Sequence, residues 1–368
     1  MPDTTAYSSP LLSLPGALPA QEKDTLALSL DSQGVAWHYG DPLAEQRRAA
    51  LSGTVVDRSH RTILRVDGPE AATFLNNLLS QKLDDAPVGF HAGALDLDAQ
   101  GHVLHHAEVI RIEQGFYLDL PRAEAASLRE FLSRMVFWSQ VEITETTLGL
   151  LSVLGAAPDL AGVPMEWTRT LPDRTDLAVE RADLRQAIDA LTAQGLSPAG
   201  LMAWTTHRVH TLNPELRADL DDKTIPHEVP HWIGRGDNLG TVHLDKGCYR
   251  GQETVSRVEN IGRSPRLLVR LHLDGSVPVL PAPGTPITSG GRKVGRLGTV
   301  VHDYELGPIA LGLIKRSVLG VGSAGASGAA SLPELSAGDC ALAVDSDSLP
   351  AFEGDKAGRA AIEKLRGR

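Results

Sequence analysis

Residues 246–253 read Lys246-Gly247-Cys248-Tyr249-Arg250-Gly251-Gln252-Glu253, and Thr254-Val255-Ser256-Arg257 follow them. A thiol two residues from an ammonium has its thiolate, the nucleophilic and metal-binding form, favoured by the nearby charge. Gly251 permits a tight turn ahead of a helix that begins near Gln252. On that helix Glu253 and Arg257 stand four apart and pair. If the preceding segment is extended, Lys246, Cys248 and Arg250 project to one side and Tyr249 to the other. Such a cationic thiol face beside an aromatic wall suits an anionic, aromatic ligand. Read alone, Cys248 is equally a small buried hydrophobe.

Upstream of this segment, 61–66 alternates as a strand, Asp67-Gly68-Pro69 turns, and 70–83 carries helical spacing through Ala71, Phe74, Leu75, Leu78 and Leu79. Residues 91–120 read as strands broken at Gly101 and Gly115, and 122–135 reads as an amphipathic helix opened by Pro121. A second strand and helix set spans 148–154, 180–194 and 198–210, ahead of a turn-rich stretch from 213 to 230. Beyond Arg266 short β-type runs at 267–273, 292–301 and 309–314, separated by Gly and Pro turns, point to a small barrel. The expected organisation is therefore α+β: an N-terminal arm and linker (1–50), a first α+β domain (51–150) and a second (151–265) ending in the quoted stretch. A C-terminal β-barrel (266–352) with a Gly/Ser-rich loop at 319–338 follows, then a basic tail (353–368).

A chain of 368 residues with 42% apolar and 22% charged residues is that of a globular protein with more than one core. Its net charge of −11 gives no electrostatic support for direct nucleic-acid binding. No apolar run approaches the roughly 18 residues that span a bilayer, and the first basic residue is Lys23, so neither membrane insertion nor secretion is expected and the cytoplasm is the default. Cys248 and Cys340 are the two cysteines, and neither sits in a CxxC or Cys/His repeat.

The string KGCYRGQE resembles the KGCYxGQE motif of YgfZ-type proteins, folate-binding members of the glycine-cleavage T-protein (aminomethyltransferase) superfamily. The resemblance extends to Val66-Asp67-Gly68-Pro69-Glu70-Ala71 with Phe74-Leu75, and to 219–228 with its Thr224-Ile225-Pro226. It implies a T-protein-like ring of two α+β domains and a small C-terminal β-barrel, with tetrahydrofolate or a derivative near the centre. The implied partners are folate and iron–sulfur client enzymes or cluster carriers, including enzymes that modify tRNA. Trp204 falls where such proteins place a folate-contacting tryptophan. The resemblance gives Cys248 and Lys246 as candidate reactive groups, with Trp204, Tyr249, Gln252, Glu253 and Arg257 as candidate folate contacts.

T-proteins carry an Asp-Asp pair after a Gly-Gly turn, and the matching stretch here is Gly101-His102-Val103-Leu104-His105-His106. Both acids are histidines, so the group that would steer charge at a folate nitrogen is altered. The RLEAG-like segment likewise reads Arg208-Val209-His210-Thr211-Leu212, with His210 at the glutamate. These departures favour an accessory role in iron–sulfur cluster assembly or repair; a folate-dependent aminomethyltransferase or other one-carbon transferase is the alternative. Whether folate is reactant or sensor stays open. No metal site is expected: on a strand His105 and His106 face opposite sides, and Pro226 and Pro230 break any helix through His227 and His231.

Overall fold

The structure is a computed structural model that describes residues 7–21, 24, 30–320 and 334–350. Most of the Gly/Ser-rich loop and the basic tail lie outside the described residues.

Two five-stranded sheets and a closed six-stranded barrel make up the body. The first sheet runs His91–Leu97, Val103–Ile112, Gly115–Leu120, Thr62–Asp67, Glu142–Glu145, each strand antiparallel to the next. Helices Ala71–Leu78 and Arg122–Met135 cover its outer face, where Leu64, Val66, Phe74, Leu75, Val109, Leu118, Leu128 and Leu132 form the core. The second sheet runs Trp167–Leu171, Arg174–Glu180, Leu148–Leu154, Thr54–Asp57, Ser197–Ala199, and helix Leu184–Thr192 packs on it. Strand Leu148–Leu154 is buried along its whole length because both faces are covered, which is why its sequence is apolar except at Ser152. The two sheets meet through Ile63, Ile110, Tyr117, Leu148, Leu150, Trp167 and Ala178.

The expected α+β architecture with a small C-terminal β-barrel is the one found. Helix Arg122–Met135 occupies the residues its periodicity marks. Three differences are instructive. The helix expected over 70–83 stops at Leu78, because the next residues make long-range bonds: Ser80 Oγ donates to Thr241 O (2.8 Å) and accepts from Leu95 N (2.9 Å), and Gln81 Nε2 reaches Gly93 O and Gly240 O. Strand Thr54–Asp57 joins the second sheet, so the two α+β units interleave instead of succeeding each other at residue 150. Within 1–50, Leu11 is fully buried against the second sheet, and Pro42–Leu51 is a helix capped by Asp41. From that helix, Glu45 accepts Tyr39 N and Gly200 N, and Gln46 bonds His302 O and Tyr304 N of the barrel. This part of the arm is a structural brace, held by polar bonds to three parts of the chain that no local periodicity encodes.

The barrel closes through strand Arg266–Leu273, which pairs with both Gly307–Lys315 and Cys340–Val344. It docks on helix Leu201–His210, where Arg208 Nη2 donates to Thr299 Oγ1 (3.1 Å) and Asp219 Oδ1 accepts Thr299 N (2.6 Å). Among the described residues no helix is long and apolar enough to cross a membrane.

Candidate functional site

A cavity lies between the two sheets and helix Leu201–His210, lined by Arg58, Arg61, His106, Glu108, Glu124, Arg174, Trp204, Arg208 and Glu215. Its floor is an ionic cluster. Asp176, with no exposed surface, receives Arg169 through Nε (2.9 Å) and Nη2 (2.8 Å), Arg174 Nε (3.1 Å) and the Ser152 hydroxyl (2.5 Å), with Arg58 Nη1 at 3.6 Å. Neighbouring Asp119 receives Arg61 Nε (3.0 Å) and Arg169 Nη1 (2.5 Å). Burial alone would raise the Asp176 carboxyl, but Arg174, Arg169 and Arg58 hold it far below the ordinary range. Burial, with Arg61 adding repulsion, lowers the Arg58 guanidinium to about 9. Arg58 lies over the Trp204 ring, 3.6 Å from its centroid, with Arg174 at 5.4 Å. The indole is 5% exposed and carries guanidinium on a face that an aromatic ligand would need.

Two polar groups on this cavity lack partners. Glu124, in the first turn of helix Arg122–Met135, has a buried and unbonded Oε2, and burial pushes its carboxyl up to about 7. His106 Nε2 is likewise buried and unbonded; burial lowers its pKa, and its ring lies 5.0 Å from that of Trp232. Side chains leave only about 40 Å³ of enclosed space between them.

The quoted segment 246–253 lies elsewhere. The buried ammonium of Lys246 donates to the carbonyls of Asn76, Leu79 (2.5 Å) and Gln81 (3.1 Å), which closes the C-terminal end of helix Ala71–Leu78. Burial brings this ammonium down to about 8, and it stands 4.8 Å over the Tyr249 ring. Tyr249 is 8% exposed and packs with Leu97, Trp232 and Val255. Arg250 donates to Asp96 Oδ1 (2.6 Å) and covers the Phe131 ring at 4.4 Å. Gly251 takes φ +83°, and a Cβ there would meet Asp98 O at 2.7 Å. Helix Gln252–Asn260 follows, with the expected Glu253–Arg257 pair at 3.8 Å and both partners in solvent. Gln252 Nε2 donates to Lys246 O (3.4 Å).

The two-faced extended segment is therefore corrected. Lys246 and Tyr249 share the inward side and Cys248 is exposed, because satisfying the carbonyls of Asn76, Leu79 and Gln81 outweighs strand alternation. Trp204 lines the cavity, whereas Lys246, Cys248, Tyr249, Gln252, Glu253 and Arg257 do not. His105 and His106 point to opposite sides of their strand, as alternation requires, and His106 is the one on the cavity. His210 bonds Asp303 Oδ2 (2.8 Å) and faces a separate space of about 490 Å³. Residues 226–232 form two short 3₁₀ turns, and among the described residues no three His, Cys, Asp or Glu side chains converge as a metal site needs. Sequence reasoning missed Arg58, Arg61, Glu124 and Arg174. The signal for the first two was Arg58-Ser59-His60-Arg61, a polar run between two apolar strands.

Comparison with known proteins agrees with this architecture. Residues 266–347 match the model of the CAF17 C-terminal beta-barrel domain. The iron-sulfur cluster assembly factor IBA57, mitochondrial, of Homo sapiens is 28% identical over 69% of this chain and 74% of its own length. The tRNA-modifying protein YgfZ of Serratia proteamaculans is 23% identical over 69% and 81%. The crystal structure of the glycine cleavage system aminomethyltransferase T from Bartonella henselae superposes with a TM-score of 0.72 at 17% identity, covering 91% of this chain and 95% of that one. Two interleaved α+β units and a barrel around a charged cavity are the T-protein-like fold that this chain shares with that aminomethyltransferase. By the KGCYRGQE segment and the two named relatives, this chain is similar to the YgfZ-type proteins.

Proposed function

We propose that this chain binds a reduced folate in the central cavity and serves as an accessory protein in iron–sulfur cluster assembly or repair, supporting cluster-dependent enzymes that include tRNA-modifying ones. The reading draws on the names of the YgfZ and IBA57 relatives and on the donors of the cavity. Glu124 carries it furthest: a buried carboxyl with a free oxygen complements the row of N–H groups on a pterin's aminopyrimidinone edge. Trp204 supplies the aromatic face once Arg58 swings away, and the arginine surplus suits the ligand's glutamate carboxylates. His106 stands where a transferase would hold an acid, and a neutral imidazole cannot stabilise positive charge developing at a folate nitrogen.

Cys248 faces solvent outside the cavity, so the thiol meets a client protein or a cluster carrier and not the bound folate. This arrangement favours folate as a sensor over folate as a reactant.

Calorimetric titration with tetrahydrofolate tests the binding. Wild type binds, Glu124→Gln and Trp204→Ala bind at least tenfold more weakly, and Trp204 fluorescence changes as Arg58 is displaced. Absence of binding removes the reading. Rescue of cluster-dependent tRNA methylthiolation in a deletion strain tests the role: Cys248→Ala binds folate and fails to rescue. Full rescue by Cys248→Ala, with aminomethyl transfer by the purified protein, supports the transferase alternative instead.

A further inference from the structure

Strand alternation turns His105 away from the central cavity and toward helix Arg122–Met135, where it meets a constellation that folate binding does not use. His105 pairs directly across the ladder with Asp96, and its Nδ1 lies 2.8 Å from Asp96 Oδ2. Its Nε2 lies 2.8 Å from Ser127 Oγ. Asp96 is 1% exposed, His105 9%, and Ser127 is exposed, so the array runs from the interior to the surface. Arg250 Nη2 donates to the second oxygen of Asp96 (2.6 Å) and holds that carboxylate turned toward the ring. We infer that Ser127, His105 and Asp96 form a nucleophilic triad that hydrolyses short-chain carboxylic esters.

The roles follow from the geometry. Asp96 holds the proton of His105 on Nδ1, which leaves the Nε2 lone pair directed at the serine hydroxyl. That hydroxyl has one hydrogen and a second acceptor in reach, Glu124 O at 2.9 Å, so it rotates between a resting bond and an activated one. In the activated state Oγ attacks the ester carbonyl as its proton passes to Nε2. The tetrahedral intermediate collapses to an acyl-serine, and His105 returns the proton to the departing alcohol. Water, deprotonated by the same nitrogen, then releases the carboxylic acid and restores the hydroxyl. No oxidant or cofactor enters the balance.

His105 and Ser127 open on a surface cavity of about 250 Å³, with Leu104, Leu216 and Leu220 as apolar lining. That volume admits an acyl chain of a few carbons. Arg217 lines the same cavity; one of its N–H groups is on Ala123 O (2.8 Å), and the others are the available charge for the oxyanion. Glu124 and Leu216 border both this cavity and the central one, so the two sites share a wall.

The test is labelling of the full chain by a fluorophosphonate probe, located by peptide mass spectrometry, alongside turnover of p-nitrophenyl acetate. A stoichiometric adduct on Ser127 is expected. Ser127→Ala should abolish adduct and turnover, His105→Gln should slow labelling by about 100-fold or more, and Arg217→Ala should lower kcat with little change in KM. Ser127 is exposed, so its alanine variant folds, and unaltered tetrahydrofolate titration separates this site from the central one. Wild type that shows no Ser127 adduct at millimolar probe, or a His105→Gln variant labelled at the wild-type rate, overturns the inference.

Discussion

Asp176→Asn is the substitution that most directly tests how the central cavity is held. The wild-type carboxylate, with no solvent exposure, takes four bonds of 2.5–3.1 Å from Arg169, Arg174 and Ser152 and neutralises part of the charge of Arg58 at 3.6 Å. Asparagine keeps the shape, offers one acceptor oxygen, and turns an N–H pair toward guanidiniums that need acceptors. Removing one partner of a buried ion pair costs about 3–5 kcal/mol, because the remaining charges stay desolvated. Arg169 keeps Asp119, which places the expected loss at the lower end, about 3 kcal/mol. Urea unfolding at pH 7 of the two proteins reads this difference. Its pH dependence follows from the depressed carboxyl: the stabilisation is complete above the unfolded-state value near 3.9 and fades as pH falls below it toward the lower folded value. The gap between wild type and variant should therefore be constant from pH 5 to 7 and shrink below about pH 4. A loss under 1 kcal/mol, or a gap that widens in acid, would refute the account of the cluster as a charge-balanced floor.

Glu124 has the opposite sign. Burial raises its carboxyl to about 7, so the unfolded chain binds fewer protons between about pH 4.3 and 7, and wild type loses stability across that window by up to about 3 kcal/mol relative to Glu124→Gln; denaturation curves at pH 5 and pH 8 check it. Gly251→Ala forces a Cβ to 2.7 Å from Asp98 O at a positive φ, and should lower the thermal midpoint by an amount equivalent to about 1–3 kcal/mol. Cys248→Ser, at an exposed position, should leave both stability and tetrahydrofolate affinity unchanged, within about 0.5 kcal/mol by urea unfolding and calorimetry.

How far the sequence could be read differs from element to element. Helix Arg122–Met135 was legible because Pro121 opens it and its apolar residues repeat at helical spacing, both local facts. Helix Ala71–Leu78 was read too long because Ser80 and Gln81 leave it for partners about 160 residues away at Thr241 and Gly240. The candidate site divides in the same way. Trp204 was accessible through the family resemblance, and the placement of His105 and His106 on opposite faces through strand alternation. The pairing of Lys246 with three carbonyls of another segment was not, and it makes this ammonium a peg that fastens residues 246–253 to the first sheet's helix.

By itself the sequence determined the class of the fold and the barrel at its C-terminal end, since strand and helix periods, the Gly and Pro turns and the KGCYRGQE string are properties of neighbours along the chain. Only the tertiary structure decided which charges meet. Arg58, Asp119, Arg169 and Asp176 come from a loop and three strands of two sheets, and Asp96, His105, Ser127 and Arg250 from two strands, a helix and a loop. Buried ionic partners are selected by the cost of leaving any one of them desolvated and unpaired, a cost that exists only once the sheets have closed over them.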